Sequence, residues 1–143
     1  MSFLVDANVV VYSVTAGPHR DPCLELLEGI AAGELAGLST VAVAEEVWHL
    51  ELSGRIPELS GQTNRMRRVF FPLLGVTDAT LDRALAFDAD DELIGANDRL
   101  HAASSLEHAS GRIVSADRGF DELAEVTRID PLDPDLISRL RST

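Results

Sequence analysis

Apolar and polar positions come in blocks along this chain. Phe3, Leu4 and Val5 are apolar, Asp6 interrupts, and Val9, Val10 and Val11 resume the apolar run. The first block predicts a buried strand from Ser2 to Val5. Val9 to Val14 predicts a short helix, broken near Gly17-Pro18. Pro22 to Gly33 has helical spacing and stops at a glycine. Leu35 to Leu38 is a second expected strand. A helix follows over TVAVAEEVWHLEL, capped by Ser39 or Thr40 and ending before Gly54. Ile56 to Phe70 reads as a further helix that Gly61 weakens. Phe71 to Val76 is a weak strand, and Asp78 to Phe87 a helix with Thr77 as its cap. Asn97 to Ala109 predicts a helix with Asn97 as cap, ended by Gly111. Arg112 to Ser115 is a strand, Phe120 to Ala124 a short helix, and Val126 to Ile129 a last strand.

Alternating strands and helices imply an α/β fold in which helices cover a central, mostly parallel sheet. No repeat, low-complexity tract or linker divides the sequence, so one domain over 1–143 is expected. Such sheets place their chemistry beyond the carboxyl ends of the strands. Asp6 follows the first strand there, and Asp117 follows Arg112–Ser115 with one residue between. A carboxylate entering a core needs compensation. A helix cap or turn would supply it, and so would a metal or phosphate site.

Composition narrows the choice. The chain has 143 residues and a net charge of −12, which argues against nucleic-acid binding by bulk electrostatics. All 12 basic residues are arginine. The absence of lysine removes P-loop and Schiff-base chemistry. Cys23 stands alone, so no internal disulfide forms, in keeping with a reducing cytosol. No apolar run is long enough for a membrane span, and the N-terminus lacks a secretory pattern, so a cytoplasmic location is expected.

Further acids add to Asp6 and Asp117. Glu45 lies on the helical stripe of Val41, Trp48 and Leu52, which reads as the core face. Glu46 shares its face with Ala42, Leu50 and Ser53 and is expected on the solvated side. Asp98 falls in a first helical turn, where the helix dipole alone favours it. His101, with Ala102 and Ser105 on its face, reads as a packed or hydrogen-bonded histidine rather than a ligand. Asp121 is either a cap for the short helix or a further site acid. No histidine or cysteine set has zinc-like spacing. Acids at strand ends and helix starts suit Mg²⁺, which takes hard oxygen ligands.

The stretches FLVDANVVVY, LSTVAVAEEVWHL and NDRLHAASSLEHASGRIVSADRGFD, in this order, resemble the PIN-domain family, and more closely the VapC-type toxin ribonucleases. The resemblance covers essentially the whole chain. It implies a three-layer α/β/α sandwich and a metal-dependent endoribonuclease. It places the four family acids at Asp6, Glu45, Asp98 and Asp117, with a further acid at Asp121. Ser115 and Asn8 fall on supporting positions, and the choice between Glu45 and Glu46 stays slightly open. It implies Mg²⁺ or Mn²⁺ as cofactor, an RNA substrate, a cognate antitoxin and homodimerisation. Arg65, Arg67 and Arg68, with Arg99, Arg112 and Arg118, are candidate phosphate contacts or solvated ion pairs. A phosphatase or response-regulator reading lacks its lysine, and Asn8 stands where the phosphatase needs a second aspartate. A non-catalytic PIN-like binding module is the other alternative.

Overall fold

A computed structural model describes residues 1–141, so the last two residues of the expected domain lie outside it. Four parallel strands form one sheet in the order β2-β1-β3-β4: β1 Phe3–Val5, β2 Gly37–Leu38, β3 Arg112–Val114 and β4 Thr127–Ile129. The register pairs Phe3 with Gly37, Leu4 with Ile113 and Val114 with Ile129. Side chains alternate across the sheet because the strand period is two. Phe3, Val5 and Val114 face one core; Leu4 and Ile113 face the other.

The first core is covered by α1 (Ala7–Tyr12), α2 (Arg20–Ala31), α3 (Val41–Ser53), α4 (Gln62–Val69) and α7 (Leu136–Arg141). The second is covered by α6 (Ala96–His108), on which α5 (Asp78–Leu85) packs, and by a 3-10 turn over Arg118–Glu122. Beyond His101, the buried side chains of α6 are small: Ala102, Ala103, Ser104 and Ser105. Small side chains let the helix approach the sheet closely, which brings its first turn to the strand ends. The three-layer architecture expected from the family resemblance is present.

Several boundaries shift for local reasons. Helix α1 starts at Ala7, two residues before the expected Val9, because Asp6 itself caps it. Thr40, not Ser39, caps α3, its hydroxyl accepting from the Val43 N–H at 3.1 Å. The expected helix over Ile56 to Phe70 is two pieces, a 3-10 turn at Pro57–Leu59 and then α4. Gly61 separates them with φ of 79°, a backbone region that favours glycine. Phe71 to Val76 is no strand; one bridge joins Thr40 to Leu74. Thr77 caps α5 as expected, in a reciprocal box with Thr80. Helix α6 begins at Ala96 with Gly95 at its cap, so Asn97 is not the cap, while Asp98 keeps its place in the first turn. The short helix expected over Phe120 to Ala124 is the 3-10 turn, and Asp117 caps it rather than Asp121.

Candidate active site

Parallel strands bring their C-terminal ends to one edge of the sheet. Asp6 and Ser115 each follow a strand there, and the backbone N–H of Asp6 donates to the Val114 carbonyl at 3.1 Å. Asp6 is 4% exposed, and three groups hold its carboxyl. The Ala7 N–H donates to Oδ1 at 2.8 Å. The Ser115 hydroxyl donates to Oδ2 at 2.7 Å, and the Asn8 amide reaches the same oxygen at 3.3 Å. Of the two compensations foreseen for Asp6, the helix cap is present, and its carboxyl also faces a cleft lined by further acids.

Asn8 and Ser115 support the cleft from behind. The Asn8 amide donates to Ser115 Oγ at 3.0 Å, and its carbonyl accepts from the Ala116 N–H at 3.2 Å. Ser115 Oγ also accepts from the Asp117 N–H at 3.0 Å. Asp117 Oδ1 in turn accepts from the Gly119 N–H at 2.8 Å. A Cβ on residue 119 would stand 2.8 Å from the Leu93 carbonyl oxygen, so the close approach needs glycine.

The cleft has a volume of about 270 Å³ and is lined by Asp6, Asn8, Glu46, Asp98 and Asp117, with Val11, Tyr12 and Leu50 as apolar wall. A larger cavity of about 450 Å³, where α2 meets α7, gathers Asp21, Glu25, Asp133 and Asp135 but buries no polar side chain. Chemistry and burial, not size, single out the smaller cleft.

Glu45 is not in it. Its stripe is the exposed side of α3: Val41 is 54%, Trp48 53% and Leu52 70% exposed. The helix buries Val43, Ala44 and Val47 instead. Glu46, three residues after Val43 and four before Leu50, points along that buried face into the cleft. The expected faces of Glu45 and Glu46 are thus reversed. Two apolar stripes run along α3, and the one with the larger side chains is the exposed one.

His101 is 1% exposed, as a packed histidine should be. Its Nε2 lies 3.1 Å from Glu46 Oε1, close enough for an ion pair but off the line of a hydrogen bond. Burial works against its charge, yet Glu46, Asp6 and Asp98 together hold its pKa above the ordinary histidine value. Asp6 is pushed above the usual carboxylate range, first by burial. Asp98 is pushed up to about 7 by burial, then by the charge of Asp6 and by its contacts with Asp117, with His101 opposing. Asp6, Asp98 and His101 offer ligand atoms within 4.8 Å of one another. Asp6 and Asp98 bring carboxylate oxygens to that group and His101 a ring nitrogen, while Nε2 of His101 also faces Glu46.

Asp121 stays outside the cleft, its two oxygens held by Arg128 at 3.0 and 3.2 Å. Among the arginines near the acidic motifs, Arg99 is committed to Asp91 and to the Ile94 and Ala89 carbonyls. Arg112 donates to the Ser2 and Arg139 carbonyls.

A family model, the PIN domain, matches residues 3–126 of this chain. The chain belongs to the PIN-domain family. Its relatives include the VapC ribonuclease Mb1869c of Mycobacterium bovis and Ribonuclease VapC13 of Mycobacterium tuberculosis, each 30% identical over 134 residues, spanning 88% of this chain and 98% of the relative. Ribonuclease VapC7 of Mycobacterium tuberculosis is 28% identical over 143 residues, covering 96% of this chain and 97% of the relative. This PIN domain also superposes on a chain of the VapBC2 complex from Rickettsia felis, solved on a DNA fragment from its promoter. The TM-score is 0.67 at 17% identity, with 91% of this chain and 98% of that one covered, which establishes the shared fold.

Proposed function

We propose that this PIN domain, one unit over 1–143, is a metal-dependent endoribonuclease toxin of the VapC type, neutralised by a cognate antitoxin. The observation that carries the reading is the convergence of Asp6, Glu46, Asp98 and Asp117 on one cleft in which Asp98 is pushed up to about 7. Carboxylates this close resist ionising together. A divalent cation removes that conflict, and a donor set dominated by carboxylate oxygens fits Mg²⁺ or Mn²⁺.

Asp6, Asp98 and Asp117 would hold the cation, with Glu46 beside them and His101 steadying Glu46. The cation supplies Lewis acidity, acidifying a water and offsetting the charge that develops on a phosphodiester. Asn8 and Ser115 fix one oxygen of Asp6, and the Ala7 N–H fixes the other. A carboxylate has about four lone-pair sites, so three such bonds still leave one free for a ligand. The test is incubation of the purified chain with RNA in Mg²⁺ or Mn²⁺, and again in EDTA. The reading requires internal cuts that need the metal; a chain that binds the metal but cuts no RNA class would instead be a binding module.

The pH dependence has a definite sign. Asp98 changes from an unfolded value of 3.8 to about 7 in the fold. Between those values the folded state holds a proton that the unfolded state lacks. Without metal, stability therefore falls as pH rises through this window. His101, raised above its ordinary value, acts in the same direction, since its contribution fades as pH climbs through its folded value. Millimolar Mg²⁺ should raise the melting temperature clearly at about pH 8 and little at about pH 5, where Asp98 keeps its proton. Scanning calorimetry at both pH values checks this, and an equal rise at both would refute it.

RNA must approach an acidic molecule. Among the described residues Arg67, Arg68 and Arg118 have no ion-pair partner. Arg67 and Arg68 border a cavity of about 530 Å³ with Asn64 and Phe71, and Phe71 is 74% exposed. Exchanging Arg67 and Arg68 together for Ala should weaken RNA binding and flatten its salt dependence by roughly two phosphate contacts. The melting temperature should not move, since both side chains are exposed. Fluorescence anisotropy with labelled RNA in EDTA makes the comparison.

Val41, Trp48 and Leu52 form an exposed apolar stripe on α3. Such a stripe supports a protein partner, the antitoxin or a second copy. Among the described residues no helix is long and apolar enough to cross a membrane.

A further inference from the structure

Behind the cleft stands a second polar layer centred on Arg128 of β4. Its side chain is 11% exposed and makes four contacts. Nε and Nη2 donate to the two oxygens of Asp121 at 3.0 and 3.2 Å. Nη1 donates to the Ser115 carbonyl at 3.1 Å and lies 3.6 Å from Asp130 Oδ2. Ser115 is the first residue after β3. Its N–H is tied to the Ile129 carbonyl at 3.2 Å, and its carbonyl is tied to Arg128.

The Ser115 hydroxyl has one proton to give and two lone pairs to fill. It gives to Asp6 Oδ2 and accepts from Asn8 and from the Asp117 N–H, so its capacity is full. A hydroxyl in that position sets two carboxylate-bearing residues relative to each other. Any displacement of the Ser115 backbone would carry the hydroxyl with it and strain three bonds at once.

We propose that Arg128, anchored by Asp121 and Asp130, is a positioning residue for the active site, acting through the Ser115 carbonyl. This rests on the metal-site reading above. It also gives Asp121 a role other than ligand, since both its oxygens are held by the guanidinium. Arginine suits the position because its planar fork of five donors can bind a carboxylate with two N–H groups and a carbonyl with a third. An ammonium group cannot span both with that geometry.

The test measures Mn²⁺ affinity calorimetrically on the full chain, beside kcat and KM for an RNA that the wild type cuts. Arg128→Ala should weaken Mn²⁺ binding by about 10-fold or more, the range for losing a group that orients metal ligands. Loss should fall on kcat, with KM within about twofold. Arg128→Lys should restore only part of the affinity. Ser115→Ala should weaken binding similarly, and the Ser115→Ala, Arg128→Ala double variant should be within about twofold of Ser115→Ala alone, because one residue acts through the other. Should Arg128→Ala fail to fold, Asp121→Asn, on a half-exposed side chain, gives the same reading with a smaller drop. The proposal is overturned by a variant that lowers the melting temperature yet binds Mn²⁺ like the wild type, or by fully additive losses with Ser115→Ala. A wild type that binds no Mn²⁺ overturns the metal site itself, and this role with it.

Discussion

Asp6→Asn should reduce metal-dependent RNA cleavage by at least about 10²–10³-fold, the scale for losing one preorganised group that supports stabilisation of developing charge, here by holding the cation. The fold should survive. Asparagine keeps the size of aspartate, and its Oδ1 can still accept from the Ala7 N–H, so the start of α1 stays capped. Its amide would face the Ser115 hydroxyl, whose two lone pairs already accept from Asn8 and the Asp117 N–H, so one of these bonds gives way and the variant melts somewhat lower than the wild type. What is lost is the one nearly fully buried negative charge of the cleft. Without it the Asp98 carboxyl loses its strongest charged neighbour and falls back toward the ordinary range. The melting temperature of the variant should therefore respond far less to Mg²⁺ and to pH than that of the wild type. RNA cleavage and melting curves on the same preparation check both parts. Wild-type cleavage by a folded Asp6→Asn chain would remove Asp6 from the chemistry.

The second large effect separates two adjacent residues. Glu46→Gln should lower cleavage by about 10²-fold, whereas Glu45→Gln should leave it within about twofold. Glu46 lines the cleft and meets His101 at 3.1 Å, while Glu45 lies on the exposed side of α3. Glutamine at 46 also deprives His101 of the partner that does most to hold its charge in a buried setting. That pKa should drop, which NMR titration of the imidazole would show. A larger loss from Glu45→Gln than from Glu46→Gln would contradict the cleft as described.

This pair shows what a single sequence conceals. Most of the fold is legible because its signals are local. Phe3–Val5 is a continuous apolar run, Thr77 and Thr80 box the start of α5, and Gly54 ends α3 in a left-handed turn. Asp6, Asp98 and Asp117 are legible as well, since strand ends and helix starts in a parallel sheet converge on one edge. The face of α3 is not, because it carries two apolar stripes. The choice depends on Val43, Ala44 and Val47 packing under α1 and α4, a tertiary fact. Helix α7 gives little warning either: six residues follow a run of Asp and Pro turns, and only Leu136 and Leu140 are buried. The pairing of Asp121 with Arg128, seven positions apart across a turn and a strand, has no helical or strand period to announce it.

The measurement that bears most directly on the central claim is a calorimetric Mn²⁺ titration of the wild type and of Asp6→Asn at about pH 8, where Asp98 has lost its proton. Saturable binding to the wild type, weakened at least about 10-fold in the variant, is the predicted result. Equal affinity in the two proteins, or none in either, would contradict a cation site built on Asp6.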